Sequence, residues 1–183
     1  MESTATQTHR LNPEARIIIM LRNPIDRLYS EYLYFRLNGD KPSPDDFHRR
    51  VVGSIRTLGT CNDNATMTAC AHAPLDIPLP LHVGMYHVFM RDWVRTFGRR
   101  RVLVIRLEDY SQRRADTLRG VFQFLDVGDF PSVVGGSDHV VNEGSIVAAP
   151  MRNDTRQLLR RFYKTHNRQL AQMLGDQRFL WKK

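Results

Sequence analysis

Residues 16–30, Arg16-Ile-Ile-Ile-Met-Leu-Arg-Asn-Pro-Ile-Asp-Arg-Leu-Tyr-Ser30, decide the fold. Ile17 to Leu21 is an unbroken apolar run, the pattern of a strand buried on both faces of a parallel sheet. Arg22 falls where that strand ends. Asn23 is a good helix cap, Pro24 suits the first helical position, and Asp26 brings negative charge to the first turn. The stretch therefore predicts strand, tight turn, helix. Ligands of open parallel sheets bind at the carboxyl ends of strands, and helix N-termini attract phosphate. Arg22 at that corner offers a phosphate its fork of donors, and Ser30, two helical turns on, adds a hydroxyl. Both residues are equally at home facing solvent, and spacing alone does not separate the two readings.

The longer segment Arg22-Asn-Pro-Ile-Asp-Arg-Leu-Tyr-Ser-Glu-Tyr32 resembles the 3′-phosphate-binding signature of sulfotransferases that use 3′-phosphoadenosine 5′-phosphosulfate (PAPS). In that family an arginine and a serine eight residues later bind the 3′-phosphate, and Arg22 and Ser30 match both positions. Other segments fall in the family's order: Asp45-Asp46-Phe47-His48, the pair Cys61 and Cys70, Val83-Gly84-Met85-Tyr86 leading to Trp93, and Val102 to Asp109. Val121 to Leu125 and the closing Arg161-Phe162-Tyr163 to Leu180-Trp181 do so too. The pattern is most similar to the glycosaminoglycan branch that 6-O-sulfates N-acetylgalactosamine 4-sulfate in chondroitin.

This resemblance implies an α/β chain with a partial P-loop-like sulfotransferase fold, a small parallel sheet flanked by helices. It implies PAPS as donor, a sulfated polysaccharide of chondroitin or dermatan type as acceptor, no metal, and a Golgi-lumenal address within a type II membrane protein. The family places a Lys-x-Gly-Thr-type phosphosulfate loop and a catalytic base upstream of the 3′-phosphate signature. Only about twenty residues precede it here, and they contain neither in a matching context. The expectation is one truncated sulfotransferase domain over residues 1–183, lacking the N-terminal strand, the phosphosulfate loop and any membrane anchor. No catalytic residue is assigned, the chain alone is expected to be inactive, and an exposed sheet edge is expected. The family's loop over PAPS commonly carries basic residues with glycine. Here Asn142 to Ala149 has neither lysine nor arginine, so no ligand contact is assigned in it.

Composition fits an anionic partner. The 183 residues carry a net charge of +8, with 42% hydrophobic residues to build a core. A phosphorylated nucleotide or a sulfated polysaccharide satisfies that charge. Nucleic acid does as well, but no recognised motif supports it. No apolar run is long enough to span a membrane, and Met1 to His9 has no apolar core of a signal peptide. Residues 1–11 read as a disordered lead-in.

Working outward from the central stretch, a helix over 24–37 buries Ile25, Leu28, Tyr29, Tyr32 and Phe35, and Asn38-Gly39 stops it. A second helix near 46–58 uses Phe47, Val51, Ile55 and Leu58, turning His48, Arg49, Arg50 and Arg56 outward. Residues 59–80 read as irregular. Cys61 and Cys70, the only cysteines, suggest a disulfide clip there, worth roughly 2–3 kcal/mol for a loop of about ten residues. Two further ligands for zinc are not evident. Asn64-Ala65-Thr66 and Asn153-Asp154-Thr155 are N-glycosylation sequons.

A helix over 79–97 carries the stripe Val83, Tyr86, Met90, Trp93 and Phe97, leaving His82 and His87 off it. Arg99-Arg100-Arg101 then precedes a second buried strand, 102–107. Glu108 and Asp109 at its end are read as capping the next element, with acid–base chemistry the alternative. Residues 115–125 form a further helix. In the last helix, 152–174, Arg152, Arg156, Arg160, Lys164 and Arg168 recur every four residues, on one slowly drifting face. Two readings stand for that stripe: a solvated basic face, or a polyanion contact. The second makes the chain, alternatively, a non-catalytic sulfated-polysaccharide-binding module.

Overall fold

A computed structural model describes residues 3–36, 42–129 and 149–182. In chain order the elements are α1 (Thr4–Leu11), β1 (Ile17–Leu21), α2 (Pro24–Arg36), α3 (Pro44–Asn64), α4 (Met67–His72), α5 (Tyr86–Phe97), β2 (Val102–Arg106), α6 (Leu107–Gln112), α7 (Arg114–Leu125) and α8 (Asn153–Leu174). The chain divides into two compact units, Met1–Arg22 with Arg91–Ser145, and Asn23–Met90 with Ile146–Lys183.

The first unit holds the sheet. β1 and β2 pair in parallel, Ile17 opposite Val102 and Leu21 opposite Arg106. Val102 and Ile105 are buried, as is Leu21. The expectation that β1 is buried on both faces does not hold among the described residues: Ile18 and Met20 are 40% and 48% exposed. The sheet has two strands there, so each has an open edge, and one face of β1 lacks a covering layer. β2 runs directly into α6. Arg106, little exposed, lies 3.6 Å from both Glu108 and Asp109 in the first turn of α6, and Asp109 lies 3.6 Å from Arg113. The acidic pair thus faces arginines in the first turn of α6, and no side-chain capping hydrogen bond forms at that helix start. Of the residues expected as a disordered lead-in, Thr4–Leu11 instead form α1. Ser3 caps it through Thr6, Ala5 is buried, and His9 meets the Phe97 ring edge-on at 5.3 Å.

The second unit is helical around Phe47, Leu28, Val51, Leu58, Leu81, Met85, Leu159 and Tyr163, all fully buried. α2 begins as the sequence predicts: the Asn23 side chain accepts from Ile25 N–H at 3.0 Å, and Pro24 comes next. Ile25, Leu28 and Tyr32 face the core, but Phe35 is 70% exposed and meets only Tyr34 edge-on among the ring contacts described. The buried stripe therefore ends one turn before the helix does. Asn38-Gly39 and Asn142 to Ala148 lie outside the described residues.

The segment read as irregular from residue 59 is mostly helical. α3 runs on to Asn64, so Cys61 lies in its final turns, and Cys70 sits on α4, which Thr66 caps. The two cysteines form a disulfide. The small polar residues that suggested a loop are tolerated because this end of α3 is solvent-facing and tied to α4. The helix expected from residue 79 starts as a 3₁₀ turn, Leu81–Gly84, before α5, and this leaves Val83 40% exposed rather than on the buried stripe. His48, expected outward, turns toward α8 and shares a 2.7 Å hydrogen bond with Thr155, a fully buried polar side chain that needs a partner.

Candidate nucleotide-phosphate corner and basic cavity

Arg22 is the residue immediately after β1. It is half-buried, which fixes its stem while leaving part of the side chain in water. Ser30 lies on α2 and is exposed. Seven residues separate Ser30 from the cap Asn23, which is two helical turns, so both sit on one side of α2, about 10 Å apart along its axis. The first turn of α2 presents backbone N–H groups and the positive end of the helix dipole. Asp26 in that turn does not oppose an anion unaided, because Arg156 of α8 donates to it at 3.0 Å. Arg27, one residue on, is committed elsewhere: it pairs with Glu31 at 2.8 Å and donates to the Pro80 carbonyl at 3.3 Å.

The basic stripe of α8 splits into two parts. Arg152 donates to Asp45 at 2.6 Å and to Asp154 at 2.5 Å, which holds the Asp154 carboxyl at about 2, well below the usual range. Arg156 pairs with Asp26. Arg160, Lys164 and Arg168 are exposed and pair with no carboxylate among the described residues. A four-residue step turns a helix by about 400°, so each successive cation is displaced by about 40°. That drift carries the stripe from the acids of α2 and α3 onto a cavity of ≈ 410 Å³. Arg160, Lys164, Arg168, Asn167, Trp181 and Lys182 are among its lining residues.

Other sequence candidates take structural places. Arg99 donates to the Val102 carbonyl at 2.7 Å, and Arg101 to Pro13 and Glu14 at 2.5 and 2.6 Å. His87 stacks on His166 with ring centres 5.1 Å apart, and burial together with His87 lowers the His166 pKa to about 4. Asn64, of the first sequon, is exposed and donates to Thr60. Asn153, of the second, is exposed at the start of α8, with Thr155 buried. Among the described residues no group of three or more metal-ligating side chains is assembled, and no helix is long and apolar enough to cross a membrane. Sequence reading missed Asn167 and Trp181 as cavity residues. The signal available for them was the drift of the stripe toward the C-terminal turn.

Comparison with known proteins agrees with this architecture. The sulfotransferase domain family matches residues 3–134. Carbohydrate sulfotransferase 15 of Homo sapiens and of Mus musculus are each 34% identical over 95% of this chain, and the match covers 32% of their length. The chain thus spans about a third of these curated relatives. Carbohydrate sulfotransferase 15 of Nototodarus sloanii is 26% identical over 70% of the chain and matches over 87% of its own length. A sulfotransferase crystal structure from Alicyclobacillus acidocaldarius superposes with a TM-score of 0.65, covering 98% of this chain and 62% of that one at 24% identity, which speaks for the fold.

Proposed function

We propose that this chain, which belongs to the sulfotransferase domain family, carries the nucleotide 3′-phosphate-binding part of a carbohydrate sulfotransferase that uses PAPS. What supports the reading is the sequence signature Arg22 to Tyr32 in a chain of this family, together with an asparagine-capped α2 that carries an exposed serine two turns on. Arg22 supplies charge-assisted donors to the 3′-phosphate, Ser30 a hydroxyl, and the α2 N-terminus a favourable dipole. The reaction moves a sulfuryl group from PAPS to a hydroxyl oxygen and releases adenosine 3′,5′-bisphosphate. By likeness to carbohydrate sulfotransferase 15, the acceptor is a chondroitin- or dermatan-type N-acetylgalactosamine 4-sulfate, and the setting is the Golgi lumen. The disulfide and the two sequons support an oxidising, glycosylating compartment.

The role of the 183 residues is binding and orientation. They contain no Lys-x-Gly-Thr loop to cradle the 5′-phosphosulfate, and Glu108 and Asp109 are engaged by arginines. This polypeptide by itself therefore retains adenosine 3′,5′-bisphosphate without transferring sulfate. Retention on immobilised adenosine 3′,5′-bisphosphate, lost in the Arg22→Ala and Ser30→Ala double variant, is the expected result. Retention unchanged in that variant refutes the assignment, and turnover of PAPS by the polypeptide refutes the claim of inactivity.

A further inference from the structure

We propose that the ≈ 410 Å³ cavity beside the second half of α8, which Asn23 and Ile25 at the start of α2 also line but Arg22 and Ser30 do not, is a binding site for an extended sulfated saccharide. Its volume lies in the range of ligand sites rather than of packing voids. Four cations line it, Arg160, Lys164, Arg168 and Lys182, and no carboxylate does. The first two cations of the stripe, Arg152 and Arg156, are paired with Asp45, Asp154 and Asp26, so the cations of the stripe that lack a carboxylate among the described residues are the three that line the cavity. Like charges held together in this way repel one another until an anion arrives.

Asn167, a largely buried polar residue of α8, lines the cavity as well. Its donor and acceptor suit a sugar hydroxyl. The third element is Trp181. Its backbone is left-handed, φ 44°, an unusual conformation for a bulky side chain. The indole is braced by Phe179 edge-on at 5.5 Å and by Tyr86 at 6.1 Å. A fixed aromatic face beside cations and an amide is the chemistry that holds a pyranose ring bearing sulfate esters.

The layout favours an extended chain over a mononucleotide. Arg160 to Arg168 spans eight residues, about 12 Å along the helix, so charge is spread over several turns rather than focused on one phosphate. Sulfates repeated along a saccharide match that spread.

Calorimetry on the 183-residue protein, titrated with a chondroitin 4-sulfate hexasaccharide and with its desulfated counterpart, tests the site. The sulfated oligomer should bind at least tenfold more tightly. Lys164→Glu with Arg168→Glu should weaken it at least tenfold, and Trp181→Leu at least fivefold, in variants whose far-UV dichroism matches the parent. Arg91→Glu with Arg95→Glu removes the same charge from exposed positions of α5 and should change affinity less than twofold, as should Arg22→Ala. Equal losses from the two charge reversals, equal binding of the desulfated oligomer, or an unchanged Trp181→Leu variant overturns the proposal. Displacement of the saccharide by adenosine 3′,5′-bisphosphate also overturns it, and assigns the cavity to nucleotide.

Discussion

Gly84 is where the helical unit has no room to spare. A Cβ added there lies 2.7 Å from the Tyr163 hydroxyl oxygen and 2.8 and 2.9 Å from two of its ring carbons. Tyr163 cannot step aside, because it is fully buried and donates its hydroxyl to the Leu81 carbonyl at 2.9 Å. The backbone at Gly84 is not left-handed, so only space is at issue. Overpacking of this kind costs about 1–3 kcal/mol, and displacing the tyrosine from its acceptor adds about 1 kcal/mol. Gly84→Ala should therefore destabilise by about 3 kcal/mol, a fall in Tm of about 6–12 °C for a chain of this length. Thermal denaturation followed by circular dichroism reads that shift. In a Tyr163→Leu background the opposing atoms are gone, and the same substitution should cost less than about 0.5 kcal/mol. A Gly84→Ala protein melting within 1 °C of the parent, or one with the same loss in both backgrounds, refutes the packing argument.

Two further outcomes concern the helical unit. Removing the Cys61–Cys70 clip, sequence separation 9, should cost about 2–3 kcal/mol on loop-closure entropy, seen as a lower urea midpoint for Cys61→Ser with Cys70→Ser. His166 has a folded pKa of about 4 against an ordinary 6.5, because it is buried and its ring stacks on His87, with Phe162 beside it. Between those values the unfolded chain binds more protons, so the contribution is complete above about pH 6.5 and lost as pH falls toward 4. Allowing for partial exposure, the loss is about 2 kcal/mol, and His166→Leu should flatten that part of a stability–pH profile measured by urea unfolding.

The strand Ile17–Leu21 and the start of α2 were legible because every local signal agreed: an apolar run, a capping asparagine, a proline at the first helical position. What the sequence could not carry was context. The run Ile17 to Leu21 reads as doubly buried, yet Ile18 and Met20 are exposed, since burial depends on neighbouring layers rather than on the strand's own residues. α1 has a threonine-rich sequence of modest helix propensity. It forms with Ser3 as cap and Ala5 and His9 packed inward, which are tertiary contacts. The end of α3 looked like a loop because Gly59 and Asn62 to Asn64 are weak helix formers, yet α3 runs on to Asn64 and is tied to α4. At the basic stripe, spacing alone left the two readings equal. The structure divides them, pairing Arg152 and Arg156 with acids and leaving Arg160, Lys164 and Arg168 around a cavity that Asn167 and Trp181 complete.

The most direct test of the nucleotide assignment is calorimetric titration with adenosine 3′,5′-bisphosphate and, in parallel, adenosine 5′-monophosphate, which lacks the 3′-phosphate. The bisphosphate should bind the parent protein more tightly. Arg22→Ala should lose about 2–3 kcal/mol, roughly 30- to 150-fold, and Ser30→Ala about 1 kcal/mol, in both cases for the bisphosphate alone. Equal affinity of the parent for the two nucleotides, or a bisphosphate affinity indifferent to Arg22, contradicts the account.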